Sequence, residues 1–177
     1  TIRTLQPGDA GWVIMQHGAI YAAEENYDSS FEALVARIVA DFLDSNDPKV
    51  EAGWIAEAEG IRLGCIFCVR VDQTTAKIRL FLTVPEARGR GLGRQLLAHC
   101  MAFARSKGYR RMVLWTNESH KAACALYAAT GWRMVASSPG HQFGVDVVDQ
   151  ESHRRVGRAL VLLQFADAAQ LVVAGSR

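Results

Sequence analysis

The sequence predicts one domain of mixed α/β type, and three observations carry that expectation. Two helix-length segments come first. The hydrophobic period then switches from helical to alternating after the turn cluster DSNDP, and the clearest alternating run leads through a glycine-rich segment into an amphipathic helix. A chain of 177 residues, 50% of them apolar, can bury a core that folds without metal or disulfide staples.

IRTLQ begins as a short strand and stops at Pro7-Gly8. Asp9 is the expected N-cap of a helix reaching about Glu25, and Ser29 with Glu32 has the capping-box spacing that opens a second helix. Phe31, Leu34, Val35, Ile38 and Phe42 form the apolar stripe of that second helix. AGWIAEAE, 52 to 59, and IRLGCIFCVRV, 61 to 71, read as strands joined by a tight turn at Gly60. In AKIRLFLTV, 76 to 84, alternation puts Ile78, Leu80, Leu82 and Val84 on one face and Arg79, Phe81 and Thr83 on the other. Leu92 to Lys107 is an amphipathic helix with Leu96, Leu97, Cys100, Met101 and Ala104 inward, closed by Gly108. RRMVLWT is the next strand, and Asn117 caps a short helix through about Ala129 that Gly131 ends. WRMVAS and RALVLLQFA, 158 to 166, are the last strands, with the polar stretch SSPGHQFGVDVVDQESHRR a long connection between them and 167 to 177 a flexible tail. No repeat or linker interrupts residues 1 to 177, which read as a single domain.

A formal charge of +2 is too small an excess to predict nucleic acid or an anionic membrane as partner. No stretch approaches the roughly 20 apolar residues that span a bilayer, and no basic-then-apolar segment opens the chain, so a cytoplasmic location is expected. The four cysteines are Cys65, Cys68, Cys100 and Cys124. The C-x-x-C of GCIFCV falls on a strand, where positions three apart point to opposite faces, and no second such pair completes a metal site. Buried thiols without metal are the expectation.

VPEARGRGLGRQLL, 84 to 97, sets three glycines and three arginines between a strand and a helix. A helix N-terminus leaves backbone N–H groups without partners and carries about half a positive charge, so it can hold an anion. Gly89, Gly91 and Gly93 permit close approach, and Arg88, Arg90 and Arg94 add charge at the same point. A flexible turn with solvated arginines is the plain alternative; a diphosphate-bearing ligand is the functional one. The segment lacks the Lys-Ser/Thr ending of a P-loop and has G-x-G-x-G in place of G-x-G-x-x-G, which argues against ATP, GTP and dinucleotides.

R-x-x-G-x-G, from Arg88 through Gly91 to Gly93, resembles the coenzyme A motif of the GNAT superfamily of N-acetyltransferases. The stretch RRMVLWTNESHKAACALYAATGWRMV is similar to the second half of that signature, with Ala123, Leu126, Tyr127, Gly131 and Trp132 in its places. GDAGWVIMQHGAIYAAE, DSSFEALVARIVADF, LWTN and HQFGVD look closest to the acetyltransferase half of proteins that fuse a MarR-type DNA-binding domain to a GNAT domain. MarR-type helices do not precede Thr1, so DNA binding is not part of the expectation. His120 stands where many family members have Asn, and the stretch after residue 150 departs from the group.

The resemblance implies a central, mostly antiparallel sheet with flanking helices and a splayed parallel pair that admits the pantetheine arm of acetyl-CoA. It implies a coenzyme site at Leu82, Val84, Arg88, Gly89, Arg90, Gly91, Leu92, Gly93, Arg94, Asn117, His120 and Tyr127. The implied reaction is direct attack of a neutral amine on the thioester through a tetrahedral intermediate, with a backbone N–H near Val84 polarising the carbonyl. Tyr127 matches the family's general acid. An alkyl ammonium of pKa about 10 also needs a base. His17, Tyr21 and Glu24 share one helical face, and Glu24, then His17, are the candidates, with Glu25, Glu57, Glu118, His141 or a water chain as rivals. Tyr21, Trp54, Arg79 and Phe81 are expected to meet the acceptor, a small-molecule amine. The resemblance also admits a homodimer, a peptide or protein acceptor, and a non-catalytic acyl-CoA-binding module.

Overall fold

Strand pairing puts seven strands into one sheet in the order β1-β2-β3-β4-β5-β7-β6 in a computed structural model that describes residues 1–157. The elements in chain order are β1 (Ile2–Thr4), α1 (Asp9–Glu25), α2 (Ser29–Ser45), β2 (Ala52–Ala58), β3 (Ile61–Arg70) and β4 (Thr75–Thr83). They continue with α3 (Leu92–Ser106), β5 (Arg111–Asn117), α4 (Lys121–Ala129), β6 (Arg133–Gln142) and β7 (Val145–Arg155). The β1–β4 meander and the β5, β7, β6 group are antiparallel, and among the described strands only β4 and β5 run parallel. That parallel pair is joined over Thr75, Ala76 and Lys77 against Arg111, Met112 and Val113 and then parts. The expected strand 158–166 and tail 167–177 lie outside the described residues.

Each sheet face buries its own cluster. On one face α3 lays Leu96, Leu97, Cys100 and Ala104 against Ile66, Ile78, Met112 and Leu114. On the other, α1 and α2 lay Val13, Val35 and Val39 against Ile55, Phe67, Leu82 and Val84. Cys65 and Cys68, one in each cluster, are buried free thiols, as strand alternation requires.

Several local expectations change. Gly8, at φ 94°, takes the N-cap of α1, and Asp9 sits fully buried in the first turn, accepting from the Gln6 N–H at 2.7 Å and from Arg3 and Arg62 at 2.6 and 2.7 Å. Asp28, not Ser29, caps α2: its carboxylate accepts from the Ser30 N–H at 3.0 Å. Asn117 ends β5, and His120 holds the N-cap position of α4. The expected polar connection after Ser137 is the β6–β7 hairpin, closed by a two-residue turn at Phe143 and Gly144, both at positive φ. Pro139 is tolerated because β6 is an edge strand.

The alternation read along β4 breaks at a bulge. Pairing with β3 passes from Phe67↔Arg79 to Cys65↔Leu82, so two residues of β4 stand against Ile66 alone, and Leu80 takes φ 49°. Ile78 therefore faces α3 together with Phe81, while Leu80, Leu82 and Val84 face α1 and α2. Arg79 precedes the bulge and Phe81 follows it, so the two leave opposite faces of the strand. A left-handed leucine costs on the order of 1–2 kcal/mol and bends the strand where it parts from β5.

Candidate active site

The parting of β4 from β5 opens a cavity of about 720 Å³ that reaches from the loop before α3 to the ends of α1 and α2. On its first side, β4 runs into a 3-10 turn at Pro85–Ala87 and then Arg88–Gly91. Gly89 and Gly91 adopt φ 74° and 78°, and a methyl built on either would meet nothing within 4 Å. Their conformation excludes ordinary side chains, and the space over them is free for a ligand. Gly93 differs: a Cβ there would lie 3.4 Å from Leu126, an ordinary contact, so α4 covers this position where Gly89 and Gly91 are open.

Gly91 caps α3, whose first intrahelical N–H bond runs from Gln95 to the Gly91 carbonyl. The Leu92, Gly93 and Arg94 N–H groups therefore lack intrahelical partners. Arg88 and Arg94 border the same cavity. This is a cradle that a diphosphate fits: bare amides, a helix N-terminus and two guanidinium groups. Arg90 and Val84 are not part of the cavity wall. Val84 is buried with its N–H donating to the Leu63 carbonyl at 2.9 Å, so strand alternation turns the neighbouring Thr83 N–H away from β3.

Tyr127, on α4, forms part of the cavity floor between Phe81 and Trp132, with ring centroids 6.3 and 6.0 Å away. Burial pushes its phenol well above the usual range, which keeps the proton on oxygen. Asn117 donates its amide to the Tyr27 hydroxyl.

The second side is aromatic and acidic. Tyr27, Phe31 and Phe143 come from the α1–α2 corner and the β6–β7 turn, with centroids 4.9 to 5.0 Å apart. Tyr21 stacks on His17 and lies 5.0 Å from the His120 ring. His17 is buried, its Nδ1–H donating to the Val13 carbonyl at 2.8 Å, and burial lowers its pKa to about 4. Taking an ammonium proton would create a buried imidazolium, which the same desolvation opposes. Glu24 is held by Arg88 at 2.7 Å. Glu25 instead approaches His120 Nε2 at 3.7 Å, and burial lowers the His120 pKa against the opposing pull of Glu25 and Glu24.

Arg79, Phe81 and Tyr21 border the cavity. Trp54 does not: it is 4% exposed beneath α3, edge-on to His99 and Phe103, because β2 turns this residue to the opposite sheet face. Among the rival bases, Glu57 pairs with Arg3, while Glu118 and His141 border a separate shallow depression. Sequence reasoning missed Tyr27, Phe143, Lys77 and Trp115. In sequence Phe31 belongs to the apolar stripe of α2 and Phe143 to a polar connection. The available signal was the closely spaced pair Tyr27 and Phe31 at the helix corner. Trp115, 60% exposed beneath the Lys77 ammonium at 5.0 Å, was visible only as a strand residue.

Splayed strands, a glycine cradle and the cavity between them match the fold of acetyltransferases of known structure. The profile of the Acetyltransferase (GNAT) family matches residues 15–132, and the chain belongs to that family. It is 33% identical over 93 residues to N-acetyltransferase 8B of Homo sapiens, covering 50% of this chain and 41% of that protein. It is 30% identical over 159 residues to the mycothiol acetyltransferase of Salinispora tropica, covering 81% of this chain and 48% of that protein. The chain thus spans less than half the length of either relative. A GNAT-family acetyltransferase from Staphylococcus aureus Mu50 superposes at a TM-score of 0.73 with 18% identity, over 89% of this chain and 99% of that one. A Salmonella typhimurium structure solved with its cofactor acetyl-CoA superposes at 0.67 with 21% identity, over 89% and 94%. These structural likenesses concern the fold. Among the described residues no helix is long and apolar enough to cross a membrane, and no cluster of three metal-ligating side chains occurs.

Proposed function

We propose that the protein moves an acetyl group from acetyl-CoA to the primary amine of a small molecule by direct attack. The observation that carries this reading is the open left-handed pair Gly89 and Gly91 at the start of α3, set at one end of a cavity whose other end is aromatic and acidic. Acetyl-CoA, when bound, supplies an activated thioester. The amides of Leu92, Gly93 and Arg94 and the side chains of Arg88 and Arg94 would hold its diphosphate, with Arg90 adding charge from outside. With the Val84 N–H committed to Leu63, the Thr83 N–H is the nearby donor for a developing oxyanion. Tyr127 gives its proton to the departing sulfur.

The relation to mycothiol acetyltransferases over 81% of the chain supports a small-molecule acceptor, and the acetyl-CoA-bound structural neighbour supports the donor. The stretches LWTN and HQFGVD support kinship with the acetyltransferase half of MarR-type fusions. Calorimetry with coenzyme A and thiol release from acetyl-CoA over a panel of amines test the reading. Heat on binding and amine-stimulated release are expected. Heat without release from any amine would identify an acyl-CoA-binding regulatory module instead.

A further inference from the structure

Three carboxylates border the cavity among the described residues, and two have close partners. Glu24 meets Arg88 at 2.7 Å, and Asp149 accepts from the Gln142 amide at 2.8 Å. Glu25 has only the His120 imidazole, at 3.7 Å, beyond hydrogen-bond range. Its position is electrostatically poor. It is the last residue of α1, where the helix dipole disfavours an anion, beside a second carboxylate, with no basic residue in that last turn. Its side chain is 18% exposed, so water offsets little of this. His120 carries the complementary defect: Nε2 is buried with no hydrogen-bond partner, while Nδ1 lies 3.4 Å from the Thr116 hydroxyl. An ammonium at this point would give Glu25 its missing cation, with the Tyr21 ring alongside to add cation–π attraction.

We propose that Glu25, backed by the imidazole of His120, is the group that receives the acceptor's ammonium and takes its proton. The proposal rests on the transferase reading above. Glu25 is the catalytic residue, and His120 positions it. The ammonium first gives one proton to the Glu25 carboxylate, leaving a lone pair on nitrogen. That lone pair forms the C–N bond to the thioester carbonyl carbon. The C–S bond then breaks with its electrons on sulfur, and Tyr127 protonates the sulfur. The nitrogen's second proton returns to the phenolate through water, and Glu25 releases its proton to solvent. The site calls for an amine that is cationic in solution and joined to an apolar or flat body that packs on Tyr27 and Phe31.

The test measures thiol release at saturating acetyl-CoA with 2-phenylethylamine, spermidine, glucosamine and an alanyl peptide, and follows the best of them. Glu25→Gln should lower kcat/KM for that amine about 10²-fold while the coenzyme A Kd stays within about twofold. Glu25→Asp, which keeps the charge but withdraws it by one methylene, should lose about tenfold. His120→Ala should raise KM for the amine more than it lowers kcat, and His120→Gln, which places an amide N–H beside Glu25, should restore most of the loss. Wild-type kcat/KM in Glu25→Gln would overturn the proposal with the transferase reading intact. So would equal losses in His120→Ala and His120→Gln. A wild-type protein that binds coenzyme A but releases no thiol with any of the four amines overturns the transferase reading, and the role of Glu25 falls with it.

Discussion

The two walls of the cavity are built in opposite ways. The wall facing the loop comes from one continuous run, Phe81 to Arg94, whose work is done mainly by backbone: positive-φ glycines, free helix amides and a strand edge. The facing wall is assembled from the end of α1, the start of α2, the β6–β7 turn and the start of α4, and its work is done by side chains. A backbone site needs particular residues at fixed spacing, so it is contiguous. A side-chain site needs only proximity, so one fold can keep its donor chemistry while changing its acceptor.

Tyr127 stands where the walls meet, and replacing its hydroxyl gives the largest effect expected outside Glu25. Tyr127→Phe should slow turnover about 10²-fold with the coenzyme A Kd unchanged by calorimetry. The ring still fills the gap between Phe81 and Trp132, so the melting temperature should hold. Unchanged turnover would confine this residue to packing and leave the first wall as a binding surface only.

The second wall rests on α1, and its acid sensitivity can be separated from catalysis. Burial holds the folded-state pKa of His17 down to about 4, against an ordinary 6.5. The unfolded chain therefore binds a proton first, and stability should fall as pH drops from 6.5 towards 4. Asp9 acts lower: burial alone would raise its carboxyl, but hydrogen bonds from Arg3, the Gln6 amide and Arg62 outweigh that and bring it from 3.8 to about 2. The stability this adds, about 2 kcal/mol, is present above pH 3.8 and is lost as pH falls through 2. Melting temperature against pH should thus decline in two stages, and His17→Gln should flatten the upper one alone. A variant whose upper stage is unchanged would show that His17 is not its source.

The same contrast explains what was legible in sequence. Strands, helices and the glycine loop were readable because period, turn residues and glycine spacing are local signals, and Leu92 and Gly108 bound α3 nearly as read. The bulge at Leu80 was not, since alternation continues in letters while the chain slips one place in space. Trp54 was lost for a related reason: a strand face cannot be assigned to a cavity until the layers on each side are known. The hairpin through Phe143 hid because β6 is exposed along its whole length and lacks an apolar face to read. Glu24 shared a helical face with the right neighbours, but only the fold brings Arg88, 64 positions away, onto its carboxylate.

On the loop side, Gly91→Val tests whether backbone alone makes the first wall. No atom lies within 4 Å of the new Cβ, so packing survives, while φ 78° penalises a β-branched residue and the added bulk enters the ligand's space. Coenzyme A affinity should fall roughly tenfold by calorimetry. Gly93→Val, without the strain of a positive φ and with its methyls turned on Leu126, should weaken coenzyme A less than Gly91→Val does. Equal effects from the two would erase the division between the open glycine and the covered one.

The smallest effect concerns an ion pair that ties the walls together, Arg88 with Glu24. Arg88 cannot hold both the Glu24 carboxylate and a diphosphate with the same Nη1 at 2.7 Å. Both side chains are about two-fifths exposed, so their pair is worth only about 0–1 kcal/mol. Removing the competing carboxylate in Glu24→Gln should therefore tighten coenzyme A two- to threefold, in the range that such a pair allows. The gain should shrink at high salt, where both the pair and the phosphate contact are screened. Weaker coenzyme A binding in Glu24→Gln would mean that Glu24 orients Arg88 for the phosphates and does not compete for it. The two walls would then be coupled with the opposite sign.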